Sequence, residues 1–146
     1  QHLCIYDALV SVDALRSFPQ VNKDKIAILG ESMGGRYGLI AASMDKSING
    51  VIVISSSGFN LSSPTVESSS IFMHSIDPDN YIADISPRKL FMLQGTTDAV
   101  TPFYLAQNTF QKAREPKSFF GADGCGHGYC DNMESFLLES IESILK

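Results

Sequence analysis

The sequence has no cluster of lysine and arginine. Its 146 residues carry 11 basic and 16 acidic side chains, a net charge of -5. A surface that grips nucleic acid or an anionic membrane needs a basic patch, so this balance argues against both. Long apolar runs are missing too, and no stretch approaches the roughly 20 residues that span a bilayer. The residues after Gln1 alternate polar and apolar and lack the basic start of a secretory signal. The chain opens on Gln1 rather than Met, as expected of a trimmed or processed product or of the ordered part of something longer. Cysteine is scarce: Cys4, Cys125 and Cys130. An odd count without regular spacing is not a disulfide framework. Free thiols are the expectation, and with them a reducing, cytoplasmic compartment. Cys125 and Cys130 bracket His127, but no second Cys/His pair completes the four ligands of a zinc site, so no metal is expected.

What is present is an ordinary globular balance, 44% hydrophobic and 18% charged, at a length that fits one domain with a real core. Residues 2–18 read as a helix, with Ile5, Ala8, Leu9, Val12 and Leu15 at helical spacing and Pro19 as its stop. Ile26–Leu29 is a short unbroken apolar run ending at Gly30, the pattern of a buried parallel strand. Helical spacing returns from Met33 to Met44, with Tyr37, Ile40, Ala41 and Met44 on one side. Val51–Ile54 and Leu90–Leu93 read as further buried strands and Ser118–Phe120 as a fourth. Thr101-Pro102 reads as cap and first turn of a helix carrying Leu105, Ala106, Phe110 and Ala113. Asp131 reads as the cap of a last helix, with Glu134 as its capping-box acid. Strands alternating with helices predict a three-layer α/β/α fold with a mainly parallel sheet. Residues 55–86 interrupt the alternation. This serine-rich stretch, with Phe72, Met73 and Ile76, is read as a cap or insertion over the sheet's edge.

Gly30-Glu31-Ser32-Met33-Gly34 is G-x-S-x-G, followed by Gly35. A nucleophile raised on a sharp turn between strand and helix needs small flanking residues, because the backbone there approaches itself closely. The predicted strand lies before it and a helix after. Amides at a helix N-terminus are unpaired and the dipole there is positive, so the Met33 N–H is expected to donate to an oxyanion.

A serine hydroxyl is a weak nucleophile without a base, and the base needs an orienting acid. Of the three histidines, His127 lies after the last strand in Gly124-Cys125-Gly126-His127-Gly128, read as a mobile loop that carries an imidazole across the sheet. His2 precedes the elbow and reads as a surface residue, and His74 as solvent-facing or packed under the cap. Asp98 is the sole carboxylate between the third strand and the next helix. Asp84, Asp123 and Asp131 are its rivals. Asp84 would follow the second strand, Asp123 reads as a turn residue and Asp131 as a helix cap.

These residues resemble a known family. Arg16–Pro19 with Lys25–Gly35 is similar to the elbow region of α/β-hydrolases, most of all the dienelactone-hydrolase-like and prolyl-oligopeptidase-like branches. Pro87–Asp98 is similar to their acid segment and Gly126–Tyr129 to their histidine segment, in the family's order and across essentially the whole chain. The resemblance implies a serine hydrolase needing no cofactor. Its nucleophile, acid and base would be Ser32, Asp98 and His127, acting on a small-molecule ester or peptide. It departs at the front, where family members carry further strands and a loop with the second oxyanion N–H. Ile26–Leu29 is therefore expected to present an unpaired strand edge. The rival reading is a non-catalytic hydrolase-like module that pairs with itself or with a partner through that edge; a homo-oligomer or a missing N-terminal segment would complete the sheet.

Overall fold

A computed structural model describes residues 1–61 and 65–146. The elements are α1 (His2–Ser17), β1 (Ala27–Glu31), α2 (Met33–Met44), β2 (Gly50–Ile54), α3 (Ser68–Ser75), β3 (Lys89–Gly95), α4 (Phe103–Lys112), β4 (Lys117–Ala122) and α5 (Glu134–Leu145). Single 3-10 turns occupy Pro78–Asn80, Ile82–Ile85 and Asp131–Met133.

The strands form one sheet in the order β1-β2-β3-β4, and every pair is parallel. Side chains alternate across a strand, and both faces of β2 and β3 are covered. Val51 and Val53 of β2, with Leu90 and Met92 of β3, join Leu39 and Ala42 of α2, Val12 of α1 and Ala106 of α4 in one core. Ile52, Ile54 and Leu93 point the other way, into a second core closed by Ile144, Ile141 and Phe136 of α5. Each large side chain withdrawn from water there contributes about 1.5–3 kcal/mol. Two-sided burial is the reason these strands read as unbroken apolar runs rather than alternating ones.

The buried faces of α1 and α2 differ from those the sequence pattern implies. Leu15 and Met44 are exposed, whereas Gly38 and Leu39 are buried in α2. A Cβ at Gly38 would lie 2.8 Å from the Ile28 side chain, so this glycine sets the close approach of α2 to β1. Two cap assignments are corrected. Thr101 is buried and donates its N–H to Asp98, and α4 starts one residue beyond Pro102. Asp131 makes no capping bond; it opens a 3-10 turn, and α5 begins at Glu134.

Within 55–86 lie α3 and two of the 3-10 turns, with Ile76, Ile82 and Ile85 buried; residues 62–64 fall outside the described residues. β1 lies at an edge of the sheet, as the unpaired-edge expectation has it. Among the described residues, no helix is long and apolar enough to cross a membrane.

Candidate active site

Each strand of a parallel sheet delivers its outgoing loop to the same side, and ligand crevices form there. Three such loops converge. β1 ends at Glu31 and α2 starts at Met33, leaving Ser32 alone in the turn. Its backbone is held at φ 53°, ψ −118°, a sparsely populated conformation that costs on the order of 1–3 kcal/mol. The Ser32 N–H donates to Ile54 O at 2.8 Å, which ties the elbow to the end of β2. The turn is tight: a Cβ at Gly30 would meet Gly34 O at 2.6 Å. Gly30→Ala therefore sets a side chain against backbone, and thermal denaturation should show a loss of about 1–3 kcal/mol. An unchanged Tm would mean that the elbow relaxes freely.

Asp98 follows β3. Its side chain is 0% exposed, and both oxygens are fully engaged. Oδ1 accepts the N–H groups of Val100 and Thr101, each at 2.8 Å. Oδ2 accepts Gln94 Nε2 at 2.8 Å and faces His127 Nδ1 at 2.9 Å. Burial opposes the charge. The Thr101 N–H, the His127 ring, the Val100 N–H and the Gln94 amide outweigh it together and hold the carboxyl below its ordinary range. Asp98 is thus an acceptor at neutral pH, which assigns the proton of His127 to Nδ1.

His127 follows β4, and its Nε2 lies 2.9 Å from Ser32 Oγ. The structure therefore brings together the three side chains that the sequence singled out. Met33 heads α2, so its N–H has no partner inside the helix. The rivals lie elsewhere. His2 bonds Ser75 Oγ at the surface, and His74 is half-buried on α3. Asp84 precedes β3 and so sits at the far end of the strand from Asp98. Asp123 accepts from Thr96 Oγ1.

The histidine loop is tethered rather than loose. Cys125 O accepts from Thr97 N at 3.0 Å and from Thr97 Oγ1 at 2.8 Å. The Gly128 N–H donates to Ser55 Oγ at 2.9 Å, and the Tyr129 N–H to Glu31 Oε2 at 3.0 Å. Cys125 and Cys130 form a disulfide, which corrects the expectation of free thiols and leaves neither sulfur to bind a metal. The glycines between them let the chain turn back until the two Cα atoms stand 6.3 Å apart, within disulfide reach. Cys4 is free and exposed. Thiol titration of the denatured, unreduced protein should accordingly find one group per chain, and three after reduction. Three before reduction would refute the bond.

Sequence reasoning missed Gln94, Ser55 and Glu31. Gln94 left a signal, as a polar residue closing an apolar strand. Ser55 and Glu31 left none, because their partners lie 73 and 98 positions away in the chain.

With this geometry in view, known proteins are informative. Residues 10–121 match the family described as BAAT / Acyl-CoA thioester hydrolase C terminal. The chain belongs to that family. The chain is 25% identical over 150 residues to the uncharacterized protein YfhR of Escherichia coli O157:H7, covering 92% of this chain and 53% of that protein. It is 29% identical over 133 residues to YfhR of Salmonella typhimurium, covering 81% and 46%. The domain thus spans about half the length of the curated relatives it matches. Among solved structures it is similar to an acetyl xylan esterase from Paenibacillus sp. R4 (TM-score 0.81, 19% identity, 95% of this chain and 51% of that one). It is also similar to the α/β hydrolase GrgF from Penicillium sp. sh18 (TM-score 0.79, 17% identity, 97% and 71%). The domain has the α/β-hydrolase fold and lies within a hydrolase family.

Proposed function

We propose that this protein is a serine hydrolase that cleaves carboxylic esters or related acyl bonds through Ser32, His127 and Asp98. One observation carries the reading: a single imidazole lies 2.9 Å from a serine hydroxyl on one side and 2.9 Å from a buried carboxylate on the other. Ser32 Oγ attacks the acyl carbon while its proton passes to His127 Nε2, and Asp98 stabilises the imidazolium. The leaving alcohol takes that proton, which leaves an acyl-Ser32 ester. Water repeats the sequence, releases the acid and restores Ser32. Among the described residues, the Met33 N–H is the oxyanion donor we assign. A second donor matters, because losing one from such a site costs on the order of 10²–10³ in rate.

The family name supports an acyl bond, and the neighbours named as esterases favour an oxygen ester. A peptide bond is the next substrate class, the class named for a puromycin-hydrolyzing peptidase of Mycobacterium tuberculosis with a similar fold (TM-score 0.74). A fluorophosphonate probe should label the folded protein at one site. Folded protein that stays unlabelled sinks the proposal.

A non-catalytic module that pairs through its sheet edge is the second reading. It draws on β1, whose Leu29 is 54% exposed and whose two faces border apolar grooves. Light scattering that finds a monomer removes pairing with a second copy. A cytoplasmic setting has composition as its support, while the Cys125–Cys130 disulfide favours an oxidising one.

A further inference from the structure

The proposed reaction leaves unused the one carboxylate inside the nucleophile motif. Glu31 ends β1 and immediately precedes Ser32. Its side chain reaches the histidine loop, where Oε2 accepts the Tyr129 N–H at 3.0 Å. Gly128 is held at φ 91°, and a Cβ on it would come within 3.2 Å of Glu31 Oε1. The loop backbone therefore lies against this carboxylate, in a conformation that favours glycine.

The connection joins two pieces of backbone that must hold a fixed distance. Glu31 is one residue from the nucleophile, and Tyr129 is two residues from the base. Cys125 O is anchored to Thr97 and the Gly128 N–H to Ser55. Those anchors fix the loop to the loops leaving β3 and β2. The Glu31–Tyr129 bond ties its backbone to the end of β1, one residue before Ser32. A shift of about 1 Å between nucleophile and base is enough to cost a large factor in rate. The bond is exposed, so its loss should slow the reaction rather than abolish it.

We infer that Glu31 is a positioning residue: it holds His127 at bonding distance from Ser32 by accepting the Tyr129 N–H. The inference deepens the serine-hydrolase reading and rests on it. The test compares the wild-type protein with Glu31→Ala and Glu31→Gln, whose amide oxygen still accepts a hydrogen bond. Fluorophosphonate labelling, kcat and KM on p-nitrophenyl acetate, and hydrogen exchange at the Tyr129 amide are measured on each. Glu31→Ala should lower the labelling rate and kcat about tenfold, leave KM unchanged and speed Tyr129 exchange by a similar factor. Glu31→Gln should stay within about twofold of wild type throughout. Labelling of Glu31→Ala at the wild-type rate, or equal losses in both variants, overturns the role. A Tyr129 amide that exchanges equally fast in all three proteins overturns the bond itself. Wild-type protein that takes no label defeats the hydrolase reading, and the positioning role with it. A labelled wild type beside an unaffected Glu31→Ala defeats the positioning role alone.

Discussion

Ser32→Ala should abolish fluorophosphonate labelling and lower ester hydrolysis by at least about 10⁴-fold, on the scale seen when a nucleophile is removed from a working triad. The expected loss is this large because Ser32 Oγ is the hydroxyl that faces His127 Nε2. Without it the imidazole has no proton to take and the acyl group no oxygen to join. The fold should survive. Ser32 is the cap residue of α2, yet its side chain makes no capping bond, and its N–H to Ile54 belongs to the backbone. Alanine keeps both, so Tm should move little. Labelling that persists in a folded Ser32→Ala protein would place the nucleophile elsewhere.

Asp98→Asn should cost nearly as much, about 10⁴-fold in kcat by comparison with the same change in another triad. The carboxylate accepts at all its positions: two backbone N–H groups on Oδ1, and Gln94 and His127 on Oδ2. Asparagine can keep its oxygen on Val100 and Thr101. Its amide nitrogen must then face Gln94 Nε2 and the Nδ1–H of His127, three donors with no acceptor among them. Gln94 can relieve its share by turning its amide over, because its Oε1 is buried without a partner; it would then give up its bond to Thr101 O. His127 can relieve its share by moving its proton to Nε2, where it points at Ser32 and blocks general-base action. The measurement is kcat alongside Tm. A variant that folds and retains a tenth of wild-type kcat would remove Asp98 from the proposed mechanism.

Much of the architecture was legible because its causes are local. Val51–Ile54 and Leu90–Leu93 read as parallel strands since both faces of each are buried, and β2 and β3 are found there. The elbow was legible because Gly30, Ser32 and Gly35 occupy positions where bulk or ordinary backbone geometry fails, as the 2.6 Å and 2.7 Å Cβ contacts at the two glycines express. Chain order was enough to place His127 and Asp98 on the side of the sheet that carries Ser32, since each follows a strand and parallel strands deliver their loops to one side.

Where the reading failed, the deciding contact lay outside the local window. Thr101 reads as a helix cap from its place before Pro102, but its N–H serves Asp98. Cys125 and Cys130 read as free thiols from count and spacing, yet they pair. The glycine-rich loop around His127 reads as mobile, yet its backbone bonds to Thr97, Ser55 and Glu31.

From sequence alone, then, came the class of fold, the turn that raises Ser32 and the names of the three residues, because hydrophobic period, glycine placement and chain order are written in neighbouring positions. Tertiary structure decided that the imidazole lies 2.9 Å from the serine and 2.9 Å from the carboxylate, and that Gln94 bonds Asp98 while Ser55 and Glu31 accept N–H groups of the loop that carries His127. Such distances arise between residues as many as 98 positions apart, and only the closed sheet brings them within reach of a hydrogen bond.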